Sequence, residues 1–194
     1  MTSSEAAYEA VVLAGGGARR LDGADKPGLL VGGRALVEWV AAAVAGAERL
    51  TLVGPPRPEL PHATVVREDP PGGGPVPALR AGLPGVRAPQ VAVLAADLPF
   101  LRPPHVEALR RSAYGRSGAV LVDADGRPQW LAGVWRTADL RAALASYGGS
   151  SLRGLMDPLD PARVRAAGEW PAWYDCDTPS DVAAASRMIR ENSA

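Results

Sequence analysis

Lysine is almost missing from this chain of 194 residues. Of its 21 basic side chains, 20 are arginines and one, Lys26, is a lysine. A GC-rich coding sequence accounts for the losses without a functional reason, and it leaves the one survivor conspicuous. Cysteine is equally scarce. Cys176 stands alone, so no internal disulfide can form and a reducing compartment is expected; the residue reads as a small buried apolar group rather than a nucleophile. The two histidines, His62 and His105, are far apart and each adjoins a proline. They read as surface loop, which leaves no Ser-His-Asp or Cys-His set. Charge of one sign is lacking too: 21 acidic residues balance 21 basic ones, so nothing favours a nucleic-acid or membrane-surface partner. No apolar run approaches the roughly 20 residues of a membrane span. Residues 1–9 are short and polar, without a basic-then-apolar leader. A cytoplasmic protein is expected.

The chain is organised around residues 11–26, VVLAGGGARRLDGADK. An apolar strand runs into three consecutive glycines, two arginines follow, and the stretch closes on Asp25-Lys26. Backbone N–H groups can crowd an anion only where no Cβ intervenes, and Arg19, Arg20 and Lys26 add positive charge. The loop is not a P-loop, because Pro27 follows Lys26 where Ser or Thr is required. Nor does its glycine spacing match the dinucleotide fingerprint.

Strands are predicted at 8–13, 50–53, 63–66 and 91–96, and helices at 34–47, 76–83 and 104–114. This alternation argues for a parallel sheet covered on both faces, with every strand's carboxyl end on one edge, where ligands bind. The second half is less regular. Strands at 119–123 and 130–135 flank the turn Asp125-Gly126-Arg127-Pro128, a helix over 137–147 takes Thr137 as N-cap, and a short helix spans 151–156. A strand is expected at 163–166 and an extended segment at 173–177. A closing helix starts on Thr178-Pro179-Ser180-Asp181, with Val182, Ala185 and Ile189 inward. The expected fold is α/β: a single Rossmann-like α/β/α domain over residues 1–194, frayed at 1–7 and 191–194. Its sheet is mostly parallel, its C-terminal half partly antiparallel.

Two acidic features accompany the loop. Asp97 follows an apolar strand directly, which puts a partly desolvated carboxylate at the sheet's carboxyl edge. Its natural partner is a hard divalent cation such as Mg²⁺; the competing reading is a turn residue before Pro99. Asp175 and Asp177 point to the same side of an extended segment and could complete a metal site, although local preference slightly favours Asp177 as a turn residue before Thr178-Pro179. The tryptophans at 130, 135, 170 and 173 fit core packing better than a ligand pocket.

These motifs coincide with a known pattern. LAGGGARRLDGADK, residues 13–26, resembles the signature loop LAGG-x-x-x-R-M-G-x-x-DK of the molybdenum cofactor guanylyltransferases in the MobA-like NTP transferase family. In the same order, Glu68-Asp69 with Gly74-Pro75-Val76 resembles the family's ED…GPL segment, and Asp97-Leu98-Pro99 its D-x-P metal motif. Residues 129–136 are similar to its PL-x-G-x-Y strand, and Asp175-Cys176-Asp177-Thr178-Pro179 to its N-x-N-T-P-E-D. The resemblance implies a GTP site. Backbone at Leu13, Ala14, Gly15 and Gly16 would hold guanine and ribose, with Asp69 on the base side. Lys26 and Arg19 would meet the phosphates, and Asp97, with Asp177, would hold Mg²⁺. The implied reaction is attack of the terminal phosphate of molybdopterin on the α-phosphorus of GTP, releasing pyrophosphate. Transient contacts with cofactor-delivering or cofactor-accepting proteins, and a monomer or small homo-oligomer, are expected.

Departures keep other readings open. Asp22 stands where the family has Gly, Gly54 replaces a polar residue that often helps bind the nucleotide, and Asp175 and Asp177 replace two Asn. The last pair is more usual among cytidylyltransferases, whereas Gly15-Gly16 favours GTP. A cytidylyltransferase, a guanylyltransferase with another phosphate acceptor, and a catalytically silent nucleotide-binding regulator are the alternatives.

Overall fold

The central strand, β1 (Tyr8–Leu13), is buried at all six positions, because strands flank it on both sides and helices cover both faces. The computed structural model describes residues 7–15, 25–168 and 170–192. After β1 the order is β2 (Leu30–Val31), β3 (Arg34–Ala35), α1 (Leu36–Ala43), β4 (Leu50–Val53), β5 (Thr64–Val66), α2 (Pro75–Gly82), β6 (Gln90–Ala95) and α3 (Pro103–Ser112). Then come β7 (Gly118–Val122), β8 (Pro128–Arg136), α4 (Thr137–Ser146), α5 (Leu152–Met156), β9 (Ala162–Arg165) and α6 (Pro179–Glu191).

Seven strands form one sheet in the order β5-β4-β1-β6-β8-β7-β9. β1 pairs in parallel with β4 and β6, and β4 with β5. β8 is antiparallel to both β6 and β7, while β7 and β9 are parallel. The fold is therefore the expected α/β class, with one reversed strand in its C-terminal half. Alternation along β1 divides the core. Ala10 and Val12 face α1 and α3 through Val37, Val40, Val106 and Leu109. Val11 and Leu13 face α2, α4 and α5 through Val76, Leu79, Leu140 and Met156. Glu9, buried within the same strand, is accommodated because its Oε1 accepts from the Arg87 and Ala88 amides at 2.8 and 3.1 Å. A third cluster, formed by Val31, Leu36, Phe100, Cys176 and Ala185, seats α6 against the β2-β3 hairpin.

Three local expectations are corrected. The helix predicted over 34–47 is shorter, because Arg34–Ala35 pairs with Leu30–Val31 across a Gly32-Gly33 turn. Thr137 does not cap α4: it lies within the first turn, and its buried hydroxyl donates to the Ala88 carbonyl at 2.7 Å. His105 is buried rather than on a surface loop. It is the third residue of α3, where its Nδ1 accepts from the Arg102 amide at 3.1 Å and its Nε2 meets the Ala167 carbonyl at 3.1 Å. Thr178 does cap α6, with its side chain accepting from the Asp181 amide and Asp181 returning the bond to the Thr178 amide.

Candidate active site

Three separate segments converge on the ammonium of Lys26. Lys26 opens a single 3-10 turn, Lys26–Gly28, with Pro27 fixing its first step. Asp97 follows β6, and its carbonyl accepts from the Cys176 amide at 3.2 Å, which ties the segment before α6 to the end of the sheet. Lys26 Nζ donates to Asp177 Oδ1 at 2.5 Å and forms an ion pair with Asp97 Oδ2. Burial opposes the charged ammonium, but Asp97 and Asp177 outweigh it and hold its pKa above the ordinary lysine value. Asp175, at the exposed rim, has its carboxyl raised by desolvation and then by the charges of Asp177 and Asp97. Cys176 is fully buried, and burial pushes its thiol up to about 12; this is the inert packing role expected of it.

The other oxygen of Asp97, Oδ1, is buried without a hydrogen-bond partner among the described residues. An orphaned anionic oxygen at a sheet's carboxyl edge suits a hard cation. Among the described residues no group of three or more His, Cys, Asp or Glu is arranged to hold an ion, so a cation here would take its remaining ligands from substrate oxygens and water.

Beside this centre lies a cleft of about 440 Å³ lined by Gly15, Val53, Gly54, Pro55, Arg67, Glu68, Pro71 and Gly72. Its floor is the junction of β1 and β4. The Ala14 amide donates to the Val53 carbonyl at 2.8 Å, and the Gly54 amide to the Val66 carbonyl at 2.9 Å. Gly54 has φ of 147°, and a Cβ there would stand 2.9 Å from both the Ala14 carbonyl carbon and the Gly15 nitrogen. Only glycine lets these two chain crossings approach so closely. On the wall, Glu68 Oε1 accepts from the Gly72 amide at 2.6 Å, while Oε2 is buried with no partner among the described residues.

Residues 10–164 match the MobA-like NTP transferase domain. The chain belongs to that family. This nucleotidyltransferase is 37% identical over 174 residues to a probable molybdenum cofactor guanylyltransferase of Mycobacterium tuberculosis H37Rv, covering 83% of this chain and 85% of that one. It is 32% identical over 164 residues to a protein of the same description from Mycolicibacterium paratuberculosis, covering 79% and 83%. Its fold is shared with molybdopterin-guanine dinucleotide biosynthesis protein A from Archaeoglobus fulgidus, at TM-score 0.74 and 19% identity over 94% of this chain and 99% of that one. The 2-C-methyl-D-erythritol 4-phosphate cytidylyltransferase of Thermus thermophilus shares it too, at TM-score 0.70 and 20% identity over 95% and 99%.

Against the sequence expectations, Lys26, Asp97 and Asp177 come together, and Asp177 proves to be a partner of Lys26 as well as the residue before the α6 cap. Leu13 and Ala14 are buried where β1 ends, and Gly15 opens onto the cleft. Asp69 is exposed and does not line the cleft; its neighbour Glu68 does. Gly16, Arg19, Arg20 and Asp22 lie outside the described residues, as do most of the ends expected to fray. Of the tryptophans, Trp135 is fully buried and Trp170 stacks on Phe100 with centroids 4.9 Å apart; both are packing roles. Sequence reasoning missed Arg57. It follows Gly54-Pro55-Pro56, which reads as an ordinary turn, yet its side chain is buried and forms a bidentate ion pair with Asp25.

Proposed function

We propose that this nucleotidyltransferase transfers GMP from GTP to the terminal phosphate of molybdopterin, with Mg²⁺, in the cytoplasm. The observation that carries the reading is the meeting of Lys26 with Asp97 and Asp177 beside a cleft of nucleoside size. In this reading the cleft takes the base and ribose, and the triphosphate lies along the glycine loop toward Lys26. An acceptor phosphate oxygen bonds to the α-phosphorus, the α–β bridging bond breaks, and its electrons leave with pyrophosphate. Such a transfer needs positioning and charge neutralisation more than a nucleophilic side chain. Lys26 supplies a positive charge on a short, fixed turn. When substrate enters it exchanges its carboxylate partners for phosphate oxygens, and the glycine N–H groups add fixed dipoles. Asp97, with Asp177, is the set that would hold Mg²⁺. The bound ion would polarise the phosphate oxygens and offset their charge.

The choice of GTP over CTP is supported by Glu68. A buried carboxylate oxygen with no partner among the described residues calls for N–H donors; guanine presents two adjacent ones, N1–H and the 2-amino group, on one edge, where cytosine presents only its 4-amino group. The names of the mycobacterial relatives support the same base and acceptor. The deciding experiment is pyrophosphate release on mixing the protein with MgGTP and molybdopterin. Release with GTP but not with CTP is expected. Tight GTP binding without release would favour the silent regulator, and release with CTP alone would replace the guanylyl assignment.

A further inference from the structure

The adjacent residues Asp25 and Lys26 face two ways. Lys26 reaches the carboxylates of Asp97 and Asp177, while Asp25 is held by Arg57 through Nη1 and Nη2 on its two carboxylate oxygens. The guanidinium is deeply buried, with 7% of its side chain exposed against 59% for Asp25. Its Nε is buried with no partner among the described residues. A buried arginine is costly unless its charge is met, and the acid that meets it sits one residue before the lysine. Backbone contacts extend the clamp. The Gly28 amide donates to the Asp25 carbonyl at 3.0 Å and the Leu29 amide to the Lys26 carbonyl at 3.1 Å. The ion pair is packed so closely on this turn that a Cβ at Gly28 would lie 2.5 Å from Asp25 Oδ2 and 3.5 Å from Arg57 Nη1.

The geometry points to Arg57 as a positioning residue that fixes the Lys26 turn to the wall of the nucleotide cleft. Arg57 lies just beyond Gly54 and Pro55, both of which line that cleft. The bidentate fork therefore sets the distance between the base-binding wall and the phosphate-facing ammonium. A lysine at position 57 keeps the charge but cannot grip both oxygens. Misplacing a catalytic group by about 1 Å can cost about 10²-fold in rate. The inference rests on the reading of Lys26 as the group that faces the phosphates.

The test compares GTP with guanosine, which fills the base cleft but has no phosphates, by equilibrium binding to the wild type and to Arg57→Lys, Asp25→Asn, Lys26→Ala and the Arg57→Lys/Lys26→Ala double variant, in the presence of Mg²⁺. Arg57→Lys and Asp25→Asn are each expected to weaken GTP binding about tenfold or more and to leave guanosine binding unchanged. Arg57→Lys should add nothing to Lys26→Ala. Wild-type GTP affinity in both Arg57→Lys and Asp25→Asn overturns the inference. So does equal loss of GTP and guanosine, which would mark a wall that merely supports the fold. Wild-type GTP affinity in Lys26→Ala instead overturns the reading of Lys26, whatever Arg57 does.

Discussion

Lys26 and Asp177, 151 residues apart in sequence, meet as a direct ion pair at the carboxyl edge of the sheet. Asp97 forms an ion pair with the same ammonium. One cation thus holds together the turn after the glycine loop, the end of β6 and the segment before α6. In the proposed reading, this convergence presents the groups that a triphosphate and a divalent cation would need.

Lys26→Ala is expected to lower pyrophosphate release by about 10²–10³-fold, the usual loss when one preorganised charge is removed from a transferring group. It should also lower the melting temperature, since Asp97 and Asp177 are left facing each other. The Lys26 pKa is raised in the folded state, so the stabilising contribution of the pair is fully present below the unfolded lysine value of about 10.4. It is lost only as pH rises through the higher folded value. Melting curves between neutral pH and pH 10 should therefore keep a constant gap between wild type and variant. Unaltered turnover in Lys26→Ala removes the lysine from the mechanism.

Asp97→Asn tests the cation. Asp97 Oδ1 is buried with no hydrogen-bond partner among the described residues, and an amide ligates Mg²⁺ more weakly than a carboxylate. GTP alone should still stabilise the variant through the base cleft, but the additional thermal shift produced by adding Mg²⁺ to GTP should disappear. An undiminished Mg²⁺-dependent shift would place the ion elsewhere.

Gly54→Ala examines the cleft floor. The new methyl meets main-chain atoms of Ala14 and Gly15 at 2.9 Å, and backbone cannot step aside as a flexible side chain can. Forcing β1 and β4 apart should cost about 1–3 kcal/mol of stability, as overpacking does. At roughly 2–4 °C per kcal/mol for a chain of this size, the fall is easily measured. KM for GTP should rise with it. From sequence alone, Gly54 looked like the loss of a useful polar contact; in the fold, any side chain at that position would obstruct the close approach that shapes the cleft.

That contrast marks how far the sequence can be read. The strand-helix alternation and the acidic residue just beyond β6 are local signals: β1 and β4 lie where the pattern puts them, β6 within one residue of it, and Asp97 two residues past its end. Lys26 stood out by composition alone. Asp177 carries little signal of its own, because Thr178 and Pro179 explain an aspartate as a turn residue, while its ion-pair partner is 151 residues away. Arg57 had no local signal of any kind, because its meaning comes from Asp25 on another segment. His105 misled for a related reason. Proline beside it suggested a surface loop, whereas Pro103 and Pro104 open α3 and the imidazole caps it.

His105 gives a pH dependence. Burial, with the nearby Arg102 charge, lowers its pKa below the usual 6.5, although the Ala167 carbonyl opposes the shift. The unfolded chain therefore binds the proton more readily than the folded one, so stability falls as pH drops from about 6.5 through the folded value. Protonation also removes the Nδ1 lone pair that accepts from the Arg102 amide. The melting temperature should decline between pH 7 and 5, and His105→Gln, which can still accept that bond, should flatten the decline. Parallel acid limbs in the two proteins would show that another group is responsible.

Glu68 offers the sharpest test of base choice. Its Oε1 is committed to the Gly72 amide, which orients the carboxylate in the wall of the cleft, and its Oε2 is buried and open to a donor. A base that offers one N–H there instead of guanine's two adjacent ones compensates the anionic oxygen less, a penalty felt as discrimination rather than as loss of binding to every nucleotide. With its oxygen still accepting from the Gly72 amide, Glu68→Gln turns the open acceptor into an amide donor, so it opposes guanine's adjacent N–H groups and removes the anionic oxygen that penalises other bases. Thermal-shift titrations with MgGTP, MgCTP, MgATP and MgUTP should show a strong preference for GTP in the wild type. The GTP-to-CTP ratio should fall about tenfold or more in the variant. If the variant keeps the wild-type ratio, guanine is read by the backbone at Leu13, Ala14 and Gly15 instead, and the carboxylate serves only to hold the loop at Gly72.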